Sequence, residues 1–175
     1  MSFDWPRSAS EEIMEEMARN PDLADSMPWP EDRPDAVSRA WEDICDYLHA
    51  STKESDPFEM VTESFKCLCA VLVQTGTAPT MQDAAKQLTD RAMMRLHAME
   101  GEYGSADNYV KRKSSGEVLV YALDRIQTKL LALQEKDDAN LWIMLVDSAN
   151  HLFFVLARRR MYEFDSFPGP GHEHV

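Results

Sequence analysis

The side chains best suited to chemistry in this chain are carboxylates. Glu11, Glu12, Glu15 and Glu16 recur at the one- and four-residue steps of a helix, and Glu42, Asp43 and Asp46 repeat that pattern further on. Asp22, Asp25, Glu31, Asp32 and Asp35 fill the stretch between them. Gathered carboxylates can hold a hard divalent cation between their oxygens, or they can present a negative field to a cationic partner. Solvated helix faces also carry such patterns, so charge must be weighed over the whole chain. Residues 1–65 hold 17 acidic and 5 basic side chains, a net charge of -12, whereas positions 66–175 contribute only -1 of the total -13. Even mixing of both signs would serve solubility, so this concentration predicts a binding face.

The first acidic cluster, Glu11-Glu12-Ile13-Met14-Glu15, has the E-E-x-x-E form, and Glu42-Asp43-Ile44-Cys45-Asp46-Tyr47-Leu48 is similar to the second acidic helix of the all-α nucleoside-triphosphate pyrophosphatases. The resemblance covers under a third of the chain, with Asp43 where that family has glutamate. It implies two facing helices on which Glu12, Glu15, Asp43 and Asp46 hold magnesium ions against a triphosphate and activate a water. A weaker likeness lies at Arg91 and His97, whose spacing resembles the arginine-to-histidine motif of small helical ribonucleases of the HEPN type.

The other reactive groups read as structural. Cys67 and Cys69 are two apart in a helical stretch, so their side chains diverge by about 200 degrees and do not share a metal. Cys45 sits beside Ile44 on an apolar edge, and all three thiols are expected to pack. The histidines, at 49, 97, 151, 172 and 174, lack the four-residue helical spacing of a metal pair, so no cofactor is expected. The basic triplets Lys111 to Lys113 and Arg158 to Arg160 could form an anion site, but the second falls where a helix C-terminus favours positive charge.

The elements that must position these groups follow from apolar period and stop signals. Ser8-Ala-Ser-Glu11 offers a capping box, which predicts a short helix to about Arg19 with Ile13, Met14, Met17 and Ala18 inward. Four prolines between Pro21 and Pro34 preclude regular helix, and Trp29 between two of them is expected to pin that loop to the core. Val37, Trp41, Ile44 and Leu48 predict a helix over 35–50, and Asp56-Pro57 opens another that runs to Gly76. Thr80 and Asp83 begin a fourth, closed by a left-handed Gly101. A turn of helix is expected around 107–110. Ser114-Ser-Gly-Glu117 then caps a helix that should end near Lys136. Residues 138–162 are apolar on most sides without Gly or Pro, and helix is preferred over hairpin.

The expected object is an all-α, single-domain bundle of about six helices in residues 1–165, with a central apolar C-terminal helix. Residues 1–34 form an acidic, proline-rich arm with one short helix, and 166–175 a flexible tail. The charge argues against direct binding of nucleic acid or an anionic membrane. Unbroken apolar runs such as Leu141 to Val146 fall well short of the roughly 20 residues of a membrane span. Three cysteines, and a start with neither a basic nor an apolar segment, suggest a cytoplasmic protein. The expected function is non-enzymatic. The acidic third, with Glu11, Glu12, Glu15, Glu16, Asp22, Asp25, Trp29, Glu31, Asp32, Asp35, Glu42, Asp43 and Asp46, docks on a basic surface, such as that of a nuclease or nucleic-acid-binding complex. In role this would match anti-CRISPR and other anti-defence inhibitors, or immunity proteins that neutralise toxin nucleases. The alternatives are the pyrophosphatase reading and a structural subunit or homodimer.

Overall fold

A computed structural model describes residues 4–25, 27–103, 106–134 and 140–164, by backbone alone at 101–103, 106–108 and 162–164. The expected tail at 166–175 lies outside the described residues. Among these, seven helices run in the order α1 (Trp5–Arg19), α2 (Arg33–Ser51), α3 (Phe58–Gln74), α4 (Met81–Tyr103), α5 (Ala106–Arg112), α6 (Ser115–Gln134) and α7 (Leu141–Phe164).

Most helix ends are written in local chemistry. Asp56 Oδ1 accepts from the Phe58 amide at 3.0 Å at the start of α3, and Gly76, at φ 76°, closes it while the Thr77 amide reaches back to Leu72 O. Thr80 Oγ1 accepts from the Asp83 amide ahead of α4. Ser114 and Glu117 form the reciprocal capping box before α6, with bonds of 3.1 and 3.3 Å.

Two ends differ from expectation. α1 starts at Trp5, because Asp4 accepts from the Arg7 amide at 3.1 Å and Pro6 fits a first-turn position where no amide is needed. The Ser8 box is therefore bypassed inside the helix. α4 does not stop at Gly101 but continues to Tyr103, and Gly76 is the one described glycine with positive φ. A mid-helix glycine is unfavourable by about 1 kcal/mol, which the surrounding helix tolerates.

The packing partners define three layers. α3 and α7 lie against each other in the middle, α2 and α6 pair on one side, and α1 and α4 pair on the other, with α5 set against α7, α1 and α4. α7 touches α1, α3, α4, α5 and α6, the central position expected for its composition. α3 is just as enclosed: every residue from Val61 to Ala70 is buried. Phe65 and Phe153 meet where the two middle helices cross, ring centroids 5.7 Å apart and both fully buried. Truncation of either to alanine is expected to cost about 3–5 kcal/mol.

Leu141–Met161 on α7 has the length and mean hydropathy, 1.3, of a membrane span, which run-length counting missed because Asp147, Ser148, Asn150 and His151 interrupt it. The bundle covers 67% of that stretch. Some of its polar groups are used inside: Asp147 takes Arg95 from α4 at 2.6 Å and Lys129 from α6 at 3.4 Å, and Asn150 Nδ2 donates to Ala92 O at 3.2 Å, while Asn150 Oδ1 is buried without a hydrogen-bond partner. These contacts fix α7 in register between its neighbours.

Candidate functional site

The acidic residues divide into those consumed by the fold and those left outside. Glu12 is held by Arg160 of α7, whose Nε donates to Glu12 Oε2 at 3.1 Å and whose Nη2 reaches Oε1, while Nη1 meets Asp56 at 2.8 Å. Burial opposes the charge on Arg160, but the hydrogen bonds and charges of Glu12 and Asp56 hold its pKa above the ordinary arginine value. Glu16 pairs with Arg19 at 3.2 Å.

Arg39 on α2 organises the proline-rich loop. Its guanidinium donates to Asp25 Oδ2 at 3.1 Å, Asp43 Oδ2 at 3.3 Å, Met27 O at 3.3 Å and Pro28 O at 2.7 Å, and lies 4.8 Å from the Trp29 ring centroid. The planar fork suits such a set of acceptors and a stacked ring together. Trp29 is half-buried against the core, so its main contacts are internal. Asp22 is exposed, but its carbonyl accepts from Lys66 Nζ at 2.8 Å.

Eight of the expected docking residues remain exposed with no ion pair among the described residues: Glu11 and Glu15 on α1, Asp22, Glu31 and Asp32 ahead of α2, and Asp35, Glu42 and Asp46 on α2. On α2 the steps of seven and four bring Asp35, Glu42 and Asp46 onto one outward ridge about 16 Å long. Tyr47, one turn on from Asp43 and packed against the core, has its pKa pushed up to about 12, by burial first and then by Cys67 and the carboxylates of Glu63, Asp43 and Asp25.

α1 and α2 stand in different outer layers, with α3 and α7 between them. The acidic third is therefore two ridges and a loop, where the sequence suggested one face. The facing pair of helices implied by the pyrophosphatase likeness is not formed, since Glu12 turns to Arg160 and Asp43 to Arg39. Among the described residues no group of three His, Cys, Asp or Glu is close enough to hold a metal ion. Arg91 and His97 also part company: Arg91 stacks at 4.0 Å from the Trp142 ring centroid and His97 lies 3.7 Å from Glu100.

The thiols sit as expected for packing groups. Cys67 and Cys69 are fully buried, and burial pushes both well above the ordinary thiol range; Cys45 is half-buried and raised by burial and by Asp46. The arginines 158 to 160 are used internally: Arg158 donates to Lys113 O, and Arg159 to the carbonyls of Ser51, Glu54 and Ser55. Exposed apolar side chains include Val120 and Leu131 on α6 and Ile143 on α7.

Sequence reasoning passed over Lys66 and Glu63. Lys66, one of the largest fully buried side chains, donates to Glu63 Oε1 at 3.4 Å, and Glu63 Oε2 takes the Ala24 amide at 3.3 Å. A lone lysine between Phe65 and Cys67 in an otherwise apolar stretch was the available signal. Comparison with family models, with curated proteins and with solved structures found no match.

Proposed function

We propose that this protein acts by binding, presenting the α2 ridge and the adjoining Glu31 and Asp32 to a basic surface of a partner protein that otherwise engages nucleic acid. The observation that supports this most is the unpaired, outward line of Asp35, Glu42 and Asp46 on a helix whose inner side is fixed in the core. Its length of about 16 Å matches the axial rise of about five nucleotides, so carboxylates can occupy lysines and arginines that would contact successive phosphates. Rigid backbone keeps the ordering cost low, and the net charge of -13 steers encounter from a distance. The ridge on α1 adds to that field without sharing the contact.

The test is capture of native partner from lysate at low and moderate salt, with duplex DNA as competitor, comparing the natural chain with the E42K/D46K variant. Capture that salt and DNA both reverse, and that the variant loses while its helical content stays intact, supports the reading. Capture indifferent to DNA and to the two substitutions overturns it.

A further inference from the structure

The α2 ridge has a neighbour on α6. Gln134, at the end of α6, donates to Ser38 in the second turn of α2. At the opposite end, Arg158 and Arg159 of α7 hold the Lys113 carbonyl just before α6 and the Ser51 carbonyl at the end of α2. The two helices therefore lie side by side and antiparallel, and the Ser38–Gln134 bond marks the seam between them.

Counting from that bond places the outer rows. On α2, Asp35 stands three residues before Ser38, and Glu42 and Asp46 four and eight after it, all on one side of the helix. On α6, Leu131 and Val120 stand three and fourteen residues before Gln134, again on one side. Leu131 is thus level with Trp41 and Glu42, and Val120 with the last turn of α2, so Glu42 and Asp46 flank the stretch between the two aliphatic side chains. Val120 is 66% exposed and Leu131 47%. The two are three turns apart, about 16 Å, the same length as the ridge from Asp35 to Asp46. Neither row carries a lysine or arginine over that length, and the exposed Asp124 adds a carboxylate on the α6 side.

We infer that this face takes an amphipathic basic helix of the partner, its aliphatic side chains seated on Val120 and Leu131 and its lysines or arginines turned to Glu42, Asp46 and Asp35. Two antiparallel helices leave a groove along their seam, and a third helix laid there repeats its side chains at steps of three, four, seven and eleven, which match the spacing of both rows. A second copy of this chain would set like carboxylates against each other, each molecule carrying a net charge of -13. A purely basic segment would leave the aliphatic row in water. The inference rests on the docking reading for the ridge, and adds the form of the partner segment and the apolar half of the contact.

The probe is a capped synthetic helical peptide of about five turns with leucines at steps of three and four and lysines along one flank. It is titrated into the full chain and followed by backbone amide NMR. A peptide of the same composition in permuted order, and one with glutamate for lysine, are the controls. Saturable shifts from Glu42 to Asp46 on α2 and from Val120 to Leu131 on α6 are expected with the first peptide and with neither control. V120S/L131S, altered only at exposed positions, should weaken binding about tenfold at every salt concentration, whereas E42K/D46K should weaken it to that extent at low salt and less at high salt. Equal binding of the permuted peptide, no saturable shift, or natural affinity in V120S/L131S overturns the inference. If the peptide binds as expected but capture of native partner ignores DNA and E42K/D46K, the docking reading falls alone; if capture needs the ridge and V120S/L131S changes nothing, the helix inference falls alone.

Discussion

Arg160 on α7 grips Glu12 on α1 with two nitrogens, across 148 residues of sequence. The same guanidinium holds Asp56 in the α2–α3 connection, so three distant segments meet on one side chain. Arg160 is 12% exposed, Glu12 35% and Asp56 54%, which places the junction at the border between core and water.

Replacement of Arg160 by alanine is expected to destabilise the fold by about 2 kcal/mol, below the 3–5 of a fully buried pair because water can still reach both carboxylates. Arg160→Lys should recover part of this, since it keeps the charge but not the fork. Urea midpoints at constant m-value give both numbers.

Lys66 and Glu63 behave differently because they are enclosed. Lys66→Met leaves the Glu63 carboxylate buried and unmatched and should cost about 3 kcal/mol, whereas K66M/E63L should regain most of it. The single variant also releases the Asp22 carbonyl, so Trp29 fluorescence should report loosening of the 20–32 loop before global unfolding. Equal loss in the single and double variants would count against this account.

His151 sits among the rings of Tyr121 and Phe154, 5.7 and 5.5 Å away. Burial lowers it to about 4, with Arg125 and Lys129 adding to the effect and Asp147 opposing it. A histidine neutral in the fold contributes stability that is present above pH 6.5, where the unfolded chain also leaves it neutral. That contribution is lost as pH falls from 6.5 towards 4, and is at most about 3 kcal/mol. His151→Phe should flatten the stability profile over that window relative to the natural chain, and parallel profiles would refute the assignment.

Thiol reactivity should separate the three cysteines. In the folded protein Cys45 alone is expected to react with a disulfide reagent, slowly, because burial and Asp46 raise its pKa. Cys67 and Cys69 should be labelled only when denaturant opens α3.

Apolar period and capping chemistry were legible because both are local. Ile13, Met17, Val37, Ile44, Leu48, Phe65 and Leu68 all occupy the buried sides their spacing assigned, and the Ser114–Glu117 box forms as written. Charge pairing was not, since it depends on which elements meet. Glu12 is indistinguishable from Glu11 in sequence, yet one is bound to Arg160 and the other faces water. Trp5 and Pro6 likewise hid a helix start, because the decisive group was the preceding aspartate. A tally of acidic residues therefore overstated a single docking face: once internal partners are removed, the α2 ridge with Glu31 and Asp32 stands in one outer layer and Glu11 and Glu15 on α1 in another.

The place of α7 in the middle layer also bears on biosynthesis. The helix that five others lean on is the last of the seven to be translated, so the nascent chain must hold α1 to α6 without the surface they finally cover. Arg158, Arg159 and Arg160 then arrive together and fasten the Lys113 carbonyl, the α2–α3 connection and Glu12 within a single turn. Ribosome-bound intermediates lacking that turn should be open to protease and become resistant only after it emerges.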